Sequence, residues 1–316
     1  MTDVIPIPGS EPLRREEPAL GYAMALAAAA LFGVNGSVVK VALGEDMSAY
    51  RLAELRCLFS FAIFVLIVAV ARPERLRVSG RELLYLAIFG ACAVVLTQLL
   101  YVLALRRLKI GVALVLIFLG PLLVALWARF VGKKHHGPRF WVALGLSLVG
   151  LVLVVRVWDR FSLDGLGVAF ALCGAAAYAL YVLYAEYAVG RRDPISLLAF
   201  GFFFACLLWT VVQPWWSLPW HVLDADVSLQ GNLAGAHVPE WALVAWIVLL
   251  GTVVPFILVV GALQHLPATR VAICGMLEPV VATLVAYGWL DETLAPAQLV
   301  GGALVLAAIA LAQTAR

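Results

Sequence analysis

The 316-residue chain alternates between apolar runs and short polar punctuation, and ten apolar segments can be placed along it. They fall at about 20–43, 49–71, 82–104, 109–130, 139–156, 164–188, 194–215, 239–263, 268–290 and 297–314. Most approach or exceed the ~20 apolar residues a helix needs to cross a bilayer. A helix pairs its own backbone groups where no water can reach them, so the pattern predicts an all-α membrane protein of ten transmembrane helices. Two intervals break the rhythm: 72–81 is basic, and 216–238 is long and carries Trp216, Trp220, Asp224 and Asp226.

Composition agrees with the pattern. The chain is 64% hydrophobic and 13% charged, with a mean hydropathy of +1.02, against roughly 25% charged residues in a soluble domain. A water-soluble fold is excluded. Residues 1–19 hold Pro6, Pro8, Pro12 and Pro18 among charges and read as a cytoplasmic disordered tail, since they lack the basic start and apolar core of a cleaved leader. Of the 22 Lys and Arg, Arg56 lies within a span and fourteen fall on the side of the amino terminus. The other seven, including the Arg106, Arg107 and Lys109 turn, fall opposite. The positive-inside rule therefore places both termini in the cytoplasm of a multi-pass plasma-membrane protein. A scattered net charge of +3 gives no reason to expect nucleic acid.

The chain also repeats itself. A shift of 158 residues lays Leu119 on Leu277, Pro121 on Pro279, Ala128 on Ala286 and Pro138 on Pro296 without a gap. Leucine and alanine coincide cheaply in such a composition; the prolines do not. The matched stretches are the fourth and fifth segments against the ninth and tenth, so the chain reads as a first five-helix repeat, 20–156, and a second, 164–314. An odd number of spans inverts the second repeat relative to the first, the architecture used by transporters that expose a midplane site to alternate sides.

Scarce polar residues inside apolar runs are the candidates for chemistry. Glu278 stands beside Pro279, and a carboxylate in a span costs ~2.5–3.5 kcal/mol on insertion scales. It would carry a proton, meet a substrate ammonium, or accept hydrogen bonds from a loosened helix. Proline lacks an amide donor, which marks Pro121 and Pro279 as helix breaks. Gly120 occupies the position equivalent to Glu278. Arg56 offers the fork geometry that suits a substrate carboxylate, against snorkelling or a fixed bridge to another helix. Glu54, two residues away, points in a different direction, so it is a separate candidate for substrate contact or coupling and not a partner of Arg56. Asn35, followed by Gly36 and Ser37, suits close helix packing or substrate contact. Thr97 and Tyr101 share a helix face with Gln98 beside it, a polar stripe suited to a cavity wall. Tyr178 lies deep in the sixth segment and suits the same role. Lys40 suits an interfacial anchor.

Two five-span halves, the Gly120-Pro121 and Glu278-Pro279 pairs, and the LDETL run ending at Leu294 resemble the EamA branch of the drug/metabolite transporter superfamily. The stretches IGVALVLIFLGPLLVAL (Ile110 to Leu126) and ALQHLPATRVAICGMLEPVVATL (Ala262 to Leu284) are most similar to permeases of the homoserine/threonine exporter type. Asp291 departs from the glycine that many such relatives carry. The resemblance implies a secondary exporter of a small amphipathic metabolite, an amino acid or related compound, with multidrug or other metabolite permeases as the neighbouring alternative.

No Walker-type GxxxxGK[ST] run supplies ATP chemistry, so the expected driving force is the solute gradient, with or without protons. The polar residues form no convergent catalytic set, which argues against an intramembrane enzyme, and a non-transporting receptor is the remaining rival. No cofactor is expected, and His135 and His136 lack the acidic or cysteine partners of a metal site. The five cysteines read as small core hydrophobes. Ala143 and Ser147 permit tight helix contact within one chain or between two, leaving monomer and homodimer open.

Overall fold

A computed structural model describes residues 17–43, 47–71, 73–76, 78, 80–90, 95–105, 107–108, 110–133, 137–156, 164–189, 193–217 and 220–314. All of the expected tail before residue 17 lies outside the described residues, as do His135, His136 and Cys92. Helices account for nearly all of the rest. They are α1 (Pro18–Ala42), α2 (Ala49–Ala71), α3 (Gly80–Ile88), α4 (Leu96–Leu105), α5 (Ile110–Ile117), α6 (Gly120–Phe130) and α7 (Pro138–Val155). The series continues with α8 (Gly165–Val189), α9 (Pro194–Val212), α10 (Glu240–Val248), α11 (Val254–Ala262), α12 (Ala268–Gly275), α13 (Glu278–Trp289) and α14 (Pro296–Thr314).

Eight stretches among the described residues are long and apolar enough to cross a membrane, joined by a shorter apolar helix, Val115–Phe130. The difference from the ten expected spans lies in the third and fourth. The third is described only as α3 and α4 on either side of residues 91–94, which lie outside the described residues, and the fourth appears as the shorter Val115–Phe130, which like the ninth carries a turn, at Phe118 and Leu119. Proline opens α1, α7, α9 and α14, where its fixed φ suits the first turn and its missing N–H costs nothing. Asp193 caps α9 by accepting from the Ser196 amide at 3.2 Å.

Packing follows the repeat. The helix α1 packs on α11, α12 and α13, while α8 packs on α4, α5 and α6. Segments one and six thus take corresponding partners from opposite halves. The helix α2 packs on α9, and α7 on α14, so the second segment meets the seventh and the fifth meets the tenth. Lipid supplies no hydrophobic drive between helices, so small residues must set such contacts. At the α7–α14 crossing a Cβ on Gly150 would lie 2.7 Å from the Gly301 carbonyl, and one on Gly301 would lie 2.6 Å from the Gly150 carbonyl. Ala143 and Ser147 are fully buried in α7, which packs on α14 of the same chain. Val70, Phe130 and Val211 are more than 70% exposed, as lipid-facing side chains of a membrane protein are.

Two strands, the ones among the described residues, lie in the long interval 216–238 and at its end. Asp226–Ser228 (β1) pairs antiparallel with His237–Pro239 (β2), Val227 opposite Val238. This hairpin sits on the end of α13: the Trp289 indole donates to the Leu229 carbonyl at 2.9 Å, and the Asn232 amide to the Gly288 carbonyl at 3.0 Å.

Candidate functional site

Two helix breaks organise the centre of the molecule. The helix α5 ends at Ile117 and α6 starts at Gly120; α12 ends at Gly275 and α13 starts at Glu278. Every one of these bounds recurs at the 158-residue shift. The cause is local. A proline ring clashes with the carbonyl four residues earlier, and those residues are Ile117 for Pro121 and Gly275 for Pro279, the last residues of α5 and α12. The chain tightens to reach the next helix, with Leu119 donating to the Leu116 carbonyl at 3.2 Å and Leu277 to the Cys274 carbonyl at 3.0 Å.

Glu278 opens α13, where the positive end of the helix dipole favours a carboxylate. Room for it comes from α1: a Cβ on Gly33 would lie 2.7 Å from the Glu278 carbonyl and from Val281 Cβ. Arg56 of α2, Tyr101 of α4 and Tyr178 of α8 all lie within electrostatic reach of Glu278. Tyr178 spans both breaks. A Cβ on Gly120 would come within 2.5 Å of its ring, and one on Gly275 within 3.2 Å of its hydroxyl. Arg56, Tyr101, Tyr178 and Glu278 are each partly exposed.

Between α10 and α11 the eighth segment widens into a π-helical turn, Leu249–Val253. Thr252 lies in that turn, fully buried. Its hydroxyl donates to the Ile247 carbonyl at 2.8 Å and accepts from Arg56 Nε at 2.6 Å. Asn35 lies against Gly251, with its Oδ1 buried and unpartnered among the described residues. The first half shows π-helical turns at Phe89, Gly90 and Val95, the region equivalent to this turn.

The structure thus gathers Glu278, Arg56, Tyr101 and Tyr178, with Asn35 reaching the same region through Gly251. Glu54 goes elsewhere. Its carboxylate pairs with Arg51 at 2.9 Å, and Arg51 also donates to the Pro214 carbonyl at 3.1 Å and to Ser217 Oγ at 2.7 Å. It therefore ties the start of α2 to the chain after α9. Thr97 lies one turn before Tyr101 on α4, and the Gln98 side chain lies outside the described residues. Lys40 pairs with Glu292 at 2.6 Å, anchoring the end of α1 to the segment after α13. Thr252, Gly33 and Gly275 were not singled out from the sequence as site residues. A lone threonine three residues before Pro255 in an apolar run was the only signal for the first.

One acid, one guanidinium and two phenols at twin helix breaks can hold a solute carrying both charges and an apolar part. A model of the EamA-like transporter family matches the chain twice, over residues 19–156 and 165–314. The chain belongs to the EamA-like transporter family. It is a multi-pass membrane protein of a transporter family. The chain is 28% identical to the threonine/homoserine exporter of Escherichia coli over 254 residues, covering 80% of this chain and 79% of that protein. An uncharacterized transporter of Archaeoglobus fulgidus is 26% identical over 296 residues, covering 92% and 96%. One solved crystal structure superposes with a TM-score of 0.73 at 16% identity, covering 93% of this chain and 96% of that one, a likeness of fold.

Proposed function

We propose that this EamA-family transporter exports a small amphipathic metabolite, an amino acid or related compound, by alternating access. The observation that carries the reading is the placing of Arg56 and Glu278, opposite charges from α2 and α13, within electrostatic reach of each other beside the helix breaks. Arginine holds a carboxylate with two parallel bonds, and the glutamate meets an ammonium, so the two ends of a zwitterion find matching partners. Tyr101 and Tyr178 supply apolar walls with polar tips, and Asn35 and Thr97 add polar groups beside them. The relatives named as threonine/homoserine exporters lend support.

Ten spans in two inverted repeats, 20–156 and 164–314, account for the exchange-symmetric packing, with both termini in the cytoplasm and the chain in the plasma membrane. Each repeat rocks against the other about a site at the midplane. Protons enter through Glu278 when the flux is coupled to them. Proteoliposomes under an imposed pH gradient test this with a panel of free amino acids. Wild type carries saturable flux, and Glu278→Gln abolishes its dependence on the gradient. Flux at the level of protein-free vesicles for the whole panel would sink the reading, while unchanged gradient dependence in the variant would remove Glu278 from coupling. The neighbouring reading, a multidrug or other metabolite permease, draws on the tyrosine-rich wall. Its mark is competition by apolar cations that carry no carboxylate.

A further inference from the structure

The geometry points to Thr252 as the residue that positions Arg56 for substrate carboxylate, an assignment that rests on the amino-acid reading of the site. The π-helical turn is where it begins. In a regular helix the Ile247 carbonyl would accept from the amide of Gly251, four residues on, and a π-turn shifts that register by one. Thr252, five residues on, sends its hydroxyl proton to that carbonyl at 2.8 Å. A threonine hydroxyl has one proton and two lone pairs. With its proton committed, it presents only an acceptor to the rest of the site.

Arg56 Nε fills that acceptor at 2.6 Å, so the direction of the bond is fixed: the guanidinium donates. A guanidinium is planar, and holding its Nε restricts the plane in which the two terminal nitrogens lie. Glu278 and Tyr101 are among the groups that this charge faces. The turn is itself held in register. Gly251 is buried under the Asn35 side chain, and a Cβ there would run into the Asn35 amide. Asn35, Gly251 and Thr252 together convert a helix irregularity into a fixed acceptor for one arginine. Thr252 touches no solute in this scheme and acts through Arg56.

The test compares a carboxylate with its neutral analogue. Proteoliposomes carrying wild type, Thr252→Val, Thr252→Ser and Arg56→Lys are assayed for saturable flux of the free amino acids, L-threonine first. The amide of the best substrate then serves as competitor. A hydrogen bond to a charged group is worth about tenfold to a hundredfold in equilibrium. Thr252→Val is therefore expected to raise the half-saturating concentration of the free acid by at least about tenfold and to leave that of the amide within about twofold, any loss of thermal stability being common to both measurements. Thr252→Ser, which keeps the hydroxyl, restores discrimination between acid and amide. A valine variant that weakens acid and amide alike, or neither, overturns the positioning role. Arg56→Lys leaving acid affinity unchanged, or no flux of any free amino acid, instead overturns the reading of the site itself, and the two failures are told apart by which variant departs.

Discussion

The break after α5 and the break after α12 share their geometry and differ in what fills them. At the first, the small residue is on the broken helix: Gly120 presses onto the Tyr178 ring and the Ala175 carbonyl, and nothing larger fits. At the second, the small residue has moved to the neighbour: Gly33 of α1 takes the close approach, and the broken helix carries Glu278. The prolines make the hinge in both halves. The position before each proline decides which break carries a carboxylate. The repeat therefore supplies the break twice and the carboxylate once.

The largest expected effect breaks that exchange. Gly33→Ala and Gly120→Ala each place a methyl 2.5–2.7 Å from backbone or ring atoms of the facing helix. Overpacking of a tight contact costs about 1–3 kcal/mol. Gly36 provides the control on α1, because an added Cβ meets nothing within 4 Å. Thermal unfolding in detergent should show both tight variants less stable and Gly36→Ala unchanged or slightly improved. Equal behaviour of Gly33 and Gly36 variants would mean that α1 does not need its close approach to α13.

A smaller effect separates hinge from charge. Pro121→Ala and Pro279→Ala restore an amide donor and remove the clash that ends α5 and α12. If the hinge is held twice, each substitution should slow maximal flux by a similar factor, about threefold to tenfold, with the half-saturating concentration little changed. A loss confined to Pro279→Ala would assign the motion to the charged half alone.

Much of this frame was legible in the sequence, because its causes are local. Pro121 and Pro279 act on residues four positions away, so the 158-residue shift predicted the breaks, and the starts of α7 and α14 followed from Pro138 and Pro296. The rest depends on distances no pattern encodes. Arg56 meets Thr252 across 196 residues of chain, and Glu54, legible only as a second charge near Arg56, pairs instead with Arg51 one turn before it. The strands β1 and β2 are three residues each, too short for alternation to declare them. The π-turn at Leu249–Val253 has no periodic signature either, since Pro255 announces a bend without giving its register.

The smallest prediction sharpens the comparison at the far ends of the broken spans. Lys133, just after α6, has φ of 51°, and Asp291, just after α13, has φ of 56°, and the two are equivalent at the same 158-residue shift. Both halves thus leave the span through a left-handed residue, and neither uses the glycine that this conformation favours. Aspartate tolerates it better than lysine, because its short polar side chain can bond to nearby backbone. Replacing either with glycine removes the Cβ clash and adds freedom to the unfolded chain, so the two terms partly offset. Lys133→Gly should stabilise by about 1 kcal/mol and Asp291→Gly by about half as much, read as small upward shifts in unfolding temperature with flux unchanged. The order matters more than the size: a larger gain at Asp291 than at Lys133 would mean that the aspartate carboxylate gives its turn no support, and that the departure from glycine at this position is tolerated instead of compensated.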